Sequence, residues 1–175
     1  DKMKFKDYKY ERPNYDEIKE SFLSLVTQIN NAKGYDEQNK YIKELNNIRK
    51  HIETMSTLAS IRNSIDTADE FYEKEQNYWD EYGPLYTELN SDFYKAIVNS
   101  KFKEEIKKEY SEQFYKICEY SLKSFSKEII PKLQEENKLM SKYTKLLASA
   151  KINFNNEELN LSGLYKYMLS EDRKV

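Results

Sequence analysis

Turn-forming residues are scarce in this chain. Its 175 residues include three glycines and three prolines, roughly a quarter of the usual share of the two together. A β-sandwich or barrel needs a turn signal every ~8–12 residues, so those folds are excluded. The shortage of glycine also leaves no G-x-G-x-x-G or phosphate-cradling loop. There is one histidine and one cysteine. Together they cannot supply the ligands of a zinc site, and no metal ligands are assigned in this chain. A single cysteine closes no disulfide, so nothing calls for an oxidising compartment. No apolar stretch approaches ~18 residues, so no membrane span is expected. No apolar segment follows the N-terminal lysines, so no secretory signal is expected and the location expected is cytoplasmic. An excess of one charge is missing too: 29 Lys+Arg against 31 Asp+Glu leave a net −2. The basic run at residues 101–108 is broken by Glu104 and Glu105, so no nucleic-acid partner is expected.

What is abundant is charge and helical periodicity. With 38% hydrophobic and 34% charged residues, the pattern predicts one soluble all-α domain over 1–175, an antiparallel bundle of long helices. Residues 1–13 read as an extended basic-aromatic arm ending at Pro13. Asn14 and Glu17 have the spacing of a reciprocal cap, and Ile18, Phe22, Leu25, Val26 and Ile29 recur on one face of a first helix. Gly34 is expected to stop it in the left-handed conformation. A second helix runs from about Asp36 to Ile65, with Tyr41, Leu45, Ile48, Ile52, Met55 and Ala59 as a packing seam. Thr67 and Glu70 have capping-box spacing for a third helix that buries Trp79, Tyr82, Tyr86, Leu89, Phe93 and Ile97. Gly83-Pro84 falls inside that pattern, and the apolar phase continues across it, which predicts a kink rather than a break.

A fourth segment carries Phe102, Ile106 and Tyr110, and a fifth carries Phe114, Ile117, Cys118, Leu122 and Phe125. The spacing allows them to be one helix or two. Ser126 is expected to cap the last long helix, with Pro131 in its first turns. Ile130, Leu133, Met140, Leu147 and Ala148 are its expected buried positions. Residues 151–161 read as a β-hairpin: Lys151-Ile152-Asn153-Phe154 and Leu159-Asn160-Leu161 alternate around Asn155-Asn156-Glu157-Glu158. Residues 162–175 read as helical and cut within an element, since Ser170-Glu171-Asp172 signals a helix start that one turn cannot sustain. Exposed apolar surface is therefore expected near residues 140–175, able to drive dimerisation.

Few residues invite a catalytic reading. His51 lies beside the seam without a companion ligand. Cys118 reads as a small core residue, because no neighbouring base or cation is evident to lower its pKa. Arg62, Asp66 and Asp69 read as a structural polar cluster at a helix junction. The chain has 16 tyrosines, and Tyr72, Tyr78, Tyr115, Tyr120 and Tyr143 lie outside the seams, suited to surface decoration or to a peptide-contacting wall.

Three stretches together resemble the oligoendopeptidase F family of zinc metallopeptidases, relatives of thimet oligopeptidase. They are Phe5-Lys6-Asp7-Tyr8-Lys9-Tyr10-Glu11-Arg12-Pro13; Met55-Ser56-Thr57-Leu58-Ala59-Ser60-Ile61-Arg62-Asn63-Ser64-Ile65-Asp66-Thr67-Ala68-Asp69-Glu70-Phe71-Tyr72; and Ala148-Ser149-Ala150-Lys151-Ile152-Asn153-Phe154 running on to Glu171-Asp172-Arg173-Lys174-Val175. Asn156 departs from the glycine usual in the family's hairpin, though Asn also accepts a left-handed turn. The resemblance implies the N-terminal helical lobe of a longer enzyme that cuts short peptides in a channel between lobes, with this piece walling or capping the channel. It implies zinc held by an H-E-x-x-H helix in a C-terminal catalytic domain. Here the one histidine, His51, is followed by Ile52 and Glu53, and no position matches that motif, so no catalytic residue is carried over and the chain alone is expected to be inactive. The partners implied are that catalytic domain and short peptides. Two other readings stay open: a stand-alone helical interaction module docking through the Tyr41-to-Ala59 seam, and one half of a split enzyme.

Overall fold

The computed structural model describes residues 4–171. Helix α1 (Tyr15–Asn31) starts at its expected cap. Asn14 Oδ1 accepts from the backbone N–H groups of Asp16 (3.1 Å) and Glu17 (3.4 Å), which satisfies donors that have no intrahelical partner. The return half differs: Glu17 accepts from the Asn14 side-chain amide at 3.0 Å. Phe22, Val26 and Ile29 are buried, with Ile18 and Leu25 packed beside them. The arm before α1 is not wholly extended: a 3₁₀ turn, Phe5–Asp7, interrupts it, and Pro13 is buried. Residues 1–3 of the expected arm lie outside the described residues.

Gly34 corrects one expectation. Its backbone is extended (φ −146°, ψ 163°), and it serves as N-cap of α2 (Tyr35–Ile65). The chain leaves α1 through an extended Ala32 instead, so no positive φ is needed there. In α2, Leu45, Met55 and Ala59 are buried, while Tyr41, Ile48 and Ile52 are half-buried. Ile42 and Leu58 are also buried. A helix of 31 residues drifts relative to a single 3.5-residue seam, so α2 presents different faces to α1 and to the third helix.

Helix α3 (Glu70–Val98) is capped by Asp69, whose carboxylate accepts from the N–H groups of Phe71 (2.9 Å) and Tyr72 (3.1 Å). Thr67 is not the cap. The Asp69 carboxylate gains from the positive helix end as well as from the hydrogen bonds. The helix runs unbroken through Pro84, and Trp79, Tyr86, Leu89, Phe93 and Ile97 are buried while Tyr82 is half-buried. Contacts with α1, α2 and three later helices make α3 the axis of the bundle.

The fourth and fifth segments are two helices, α4 (Lys103–Tyr110) and α5 (Glu112–Ser124). Ser111 divides them at φ 91°, ψ 151°, a region that suits glycine and strains other residues. Its hydroxyl accepts from Phe114 N–H at 3.2 Å, capping α5. Ser126 does not cap α6 (Ile130–Ala148): it precedes a 3₁₀ turn, Lys127–Ile129, and Pro131 sits in the first turn of the helix. Only Ile130 of the positions expected inside α6 is fully buried; Met140, Leu147 and Ala148 are exposed.

Strands β1 (Ile152–Phe154) and β2 (Glu157–Leu159) form the small antiparallel hairpin, pairing Ile152 with Leu159 and Phe154 with Glu157. The turn is the two residues Asn155 (φ 52°) and Asn156 (φ 62°). Both are left-handed, as a type I′ turn requires, so the second strand starts at Glu157 and Leu161 lies beyond it. The Asn160 side-chain oxygen accepts from the Gly163 N–H at 2.8 Å. The 3₁₀ turn Ser162–Leu164 leads into α7 (Tyr165–Met168). The expected helical end at 172–175 lies outside the described residues.

Ser111 yields a stability test. Ser111→Gly removes the strain and loses only the hydroxyl cap, whereas Ser111→Ala keeps the strain and loses the cap. Urea unfolding is expected to rank Gly at or above wild type and Ala about 1 kcal/mol below it; an alanine variant more stable than the glycine one contradicts the strain.

Candidate functional site

The N-terminal arm is fastened to the bundle by one buried carboxylate. Glu75 on α3 is 4% exposed. The Arg12 guanidinium meets it with two bonds, Nε to Oε2 at 2.9 Å and Nη2 to Oε1 at 2.6 Å, and Tyr10 Oη donates to Oε2 at 2.5 Å. Trp79 Nε1 donates to the same Tyr10 oxygen at 3.2 Å. Burial pushes the Glu75 carboxyl up, but the bonds from Arg12 and Tyr10 outweigh it and hold the group below its usual range. Burial and the Glu75 contact raise the Tyr10 phenol far above its ordinary value. Tyr78 extends the anchor by donating to Pro13 O at 2.9 Å. Such a network is stable only when complete, because a lone buried carboxylate is costly.

A second construction holds α6 on α3. Proline has no N–H, so Pro84 leaves the carbonyl of Asp80 without its helical partner. Asn137 Nδ2 on α6 donates to that oxygen at 3.2 Å, and Gln134 Nε2 donates to the neighbouring Glu81 carbonyl at 2.7 Å. Further along, Lys138 reaches Glu81 at 3.5 Å, and Lys145 pairs with Glu73. Beside this contact lies a cavity of about 390 Å³ bounded by α2, α3 and α6, lined in part by Ser60, Asn63, Gln76, Asn77, Ser141 and Thr144. Asp80 itself is buried; Gln76 Nε2 donates to its Oδ1 at 2.8 Å.

Beyond Ile130 and Leu133, α6 meets α3 through polar groups, and its later apolar side chains lie elsewhere. Leu139, Met140, Tyr143 and Leu146 are more than half exposed, Leu146 at 67%. Phe154 on the hairpin and Met168 and Leu169 around α7 add to the exposed apolar set, Met168 at 73%. Monomer surfaces seldom carry so many large apolar groups in one segment, and such a surface marks a contact region. The hairpin leans on α7: the Phe154 and Tyr167 rings pack edge to face at 4.9 Å between centroids, and Lys166 pairs with Glu157.

The residues singled out in the sequence do not converge on a catalytic centre. Cys118 is fully buried, and burial pushes its thiol up to about 11, an inert core group. His51 is exposed on α2. Among the described residues no group of three or more His, Cys, Asp and Glu could hold a metal ion. Arg62, Asp66 and Asp69 do not form one cluster: Arg62 donates to Tyr8 O (2.6 Å) and Tyr72 Oη (2.7 Å), while Asp66 and Asp69 cap backbone N–H groups. Of the five tyrosines outside the seams, Tyr72, Tyr78 and Tyr115 are held in internal hydrogen bonds, and Tyr120 and Tyr143 are exposed. Glu75 and Asn137 went unnoticed in the sequence. Pro84 was the available signal for Asn137, since a proline inside a helix announces a free carbonyl.

Comparison with known proteins bears on the whole construction. The family described as the Peptidase M3 N-terminal domain matches residues 5–125. The solved structure of PZ peptidase A with an inhibitor is 42% identical, with a TM-score of 0.93, and the match covers 98% of this chain and 30% of that one. A Bacillus anthracis str. Ames protein provisionally named oligoendopeptidase F is 43% identical, with a TM-score of 0.94 over 99% of this chain and 32% of the other. A further structure with that provisional name is 40% identical, with a TM-score of 0.94 over 99% of this chain and 31% of the other. The chain thus spans less than a third of the length of these relatives. No curated protein matches it.

The geometry yields two tests. Asn137→Ala strands the Asp80 carbonyl and is expected to cost about 1–3 kcal/mol. In a Pro84→Ala background residue 84 regains its N–H, so the same change is expected to cost less than about half as much; equal costs in both backgrounds contradict the link. Glu75 titrates below its usual 4.5 in the folded state. Its stabilisation is therefore full above that value and lost as pH falls through the lower folded value. Stability measured between pH 7 and pH 3 is expected to fall less steeply in Glu75→Gln; an unchanged slope contradicts the assignment.

Proposed function

The chain belongs to the M3 peptidase family as an N-terminal domain, and on that premise we propose that it walls or caps the substrate channel of a zinc-dependent oligoendopeptidase acting on short peptides. The observation that carries this reading is the outward apolar face of α6, the hairpin and α7. Large side chains there are exposed, while α6 holds the bundle through its polar ones. In this reading the face packs on a C-terminal catalytic domain, and in the isolated chain the same face pairs with a second copy. The catalytic centre lies outside these residues. The chain's own residues do not fit a zinc ion: its one cysteine is buried with a raised pKa, and its one histidine is exposed on α2. Zinc, as Lewis acid and activator of water, would sit on an H-E-x-x-H helix in the remainder.

The lobe itself supplies shape. Helices joined by buried polar networks make a rigid wall able to move as a body about its contact with a second lobe. Of the five tyrosines named from the sequence, Tyr120 and Tyr143 are exposed and are ones that such a wall can offer to peptide. A cytoplasmic location belongs to the same proposal. Among the described residues no helix is long and apolar enough to cross a membrane. The stand-alone module loses its docking surface, because the Tyr41-to-Ala59 seam is packed against the core.

The reading frame beyond the Val175 codon is expected to continue to H-E-x-x-H, and its full product to cleave short peptides in a chelator-sensitive way. The 175-residue chain alone is expected to cleave none. One tightly held zinc per chain, found by metal analysis of the 175-residue protein after dialysis, overturns the proposal.

A further inference from the structure

A groove of about 460 Å³ runs between α2 and α3, lined in part by Arg49, Lys50, Ile52, Glu53, Trp79, Gly83 and Tyr86. Its central charge is Arg49. The guanidinium is fixed by three neutral acceptors: Nε to Asn90 Oδ1 (2.7 Å), Nη1 to Asn46 Oδ1 (2.8 Å) and Nη2 to Tyr94 Oη (2.8 Å). It also lies over the Phe93 and Tyr94 rings at 4.9 and 5.2 Å. These contacts orient the group without neutralising it. A guanidinium carries five N–H donors, so about two remain for a ligand. No carboxylate of the described residues forms an ion pair with it. Glu53, one turn along α2, lines the same groove but is not bonded to Arg49. With Arg49 and Lys50 positive and Glu53 negative, the lining carries a net positive charge.

The floor and wall suit an apolar neighbour to an anion. Trp79 and Tyr86 are buried at the base of the groove, and their polar atoms are occupied by Tyr10 Oη (3.2 Å) and Tyr78 Oη (3.0 Å), so neither leaves an unpaired polar group there. Gly83 lies inside a helix, where glycine weakens stability relative to alanine. A Cβ at Gly83 would meet nothing within 4 Å, so packing does not demand glycine there. Its missing side chain leaves the groove open beside Trp79. A volume of this size fits a few residues of extended chain.

We propose that this groove binds the carboxylate of a short peptide, with the Arg49 guanidinium receiving the anion and the half-buried Ile52 and the open space beside Gly83 taking the adjoining apolar residue. Oriented, weakly hydrated guanidinium is the group of choice for carboxylate, which it meets with paired N–H donors. The argument rests on the groove alone and stands independently of the peptidase reading.

Trp79 is the only tryptophan, so its fluorescence reports the floor of the groove, and the Arg49 Nε–H resonance reports the cation. The probes are N-acetylated alanine-alanine-leucine with a free C-terminal carboxylate, the same tripeptide as its amide, and that amide with glutamate in the middle. A saturable change in both signals is expected with a carboxylate-bearing probe, and binding about tenfold weaker or absent with the plain amide. The two carboxylate probes separate a chain end from an acidic side chain as the source. Arg49→Gln is expected to weaken binding at least about tenfold, and Glu53→Gln to tighten it about twofold. Gly83→Leu fills the groove without touching the Arg49 bonds and is expected to abolish binding while the chain still melts cooperatively. Equal response to acid and plain amide, no response from any probe, or undiminished binding in Gly83→Leu overturns the proposal.

Discussion

A proline in the middle of α3 frees one backbone carbonyl, and the placement of the later part of the chain follows from satisfying it. A buried acceptor without a partner costs about as much as a lost hydrogen bond. The Asp80 oxygen finds its donor in Asn137, and the adjoining Glu81 oxygen finds one in Gln134. Both donors lie on the same side of α6. That side must therefore face α3, and the Leu139, Met140, Tyr143 and Leu146 side chains are left exposed. A helix docked by amide groups rather than by an apolar stripe has that stripe available for another contact.

Much of the bundle was legible because helix boundaries are written in local chemistry. Asn14, Pro131 and the periodic runs through Phe22, Ile29, Phe93 and Ile97 mark their elements by spacing alone. The misread boundaries had two competent signals within reach of each other. Thr67 and Asp69 both offer an N-cap, and the carboxylate wins at a positive helix end. Asn155-Asn156 can open a longer loop or close a two-residue turn, and the pairing of Ile152 with Leu159 selects the turn. Met140, Leu147 and Ala148 have the periodicity of a buried stripe and are exposed. Periodicity reports that a face is apolar, and not which body covers it.

Long-range polar pairs were out of reach for a different reason. Gln38 spans from Ile29 O (2.9 Å) to the Ser100 hydroxyl (2.8 Å), and Arg12 meets Glu75 across 63 positions. Nothing local marks these residues. Once the helices are placed, each becomes obligatory, because burying one partner leaves a polar group that only the other satisfies. Two arginines, Arg12 and Arg49, illustrate the range of outcomes. Arg12 is matched by a buried carboxylate and fastens the arm. Arg49 is held by neutral oxygens and aromatic rings, so its charge stays available to a ligand.

The exposure of one α6 face through the polar docking of the other is the centre of this account. Hydrogen–deuterium exchange over residues 139–169 measures it most directly, comparing the 175-residue chain with the full product of its reading frame. The account predicts that these amides, weakly protected in the chain alone, become strongly protected in the longer protein, while α1 and α2 change little. Exchange over residues 139–169 that is the same in both proteins would contradict it.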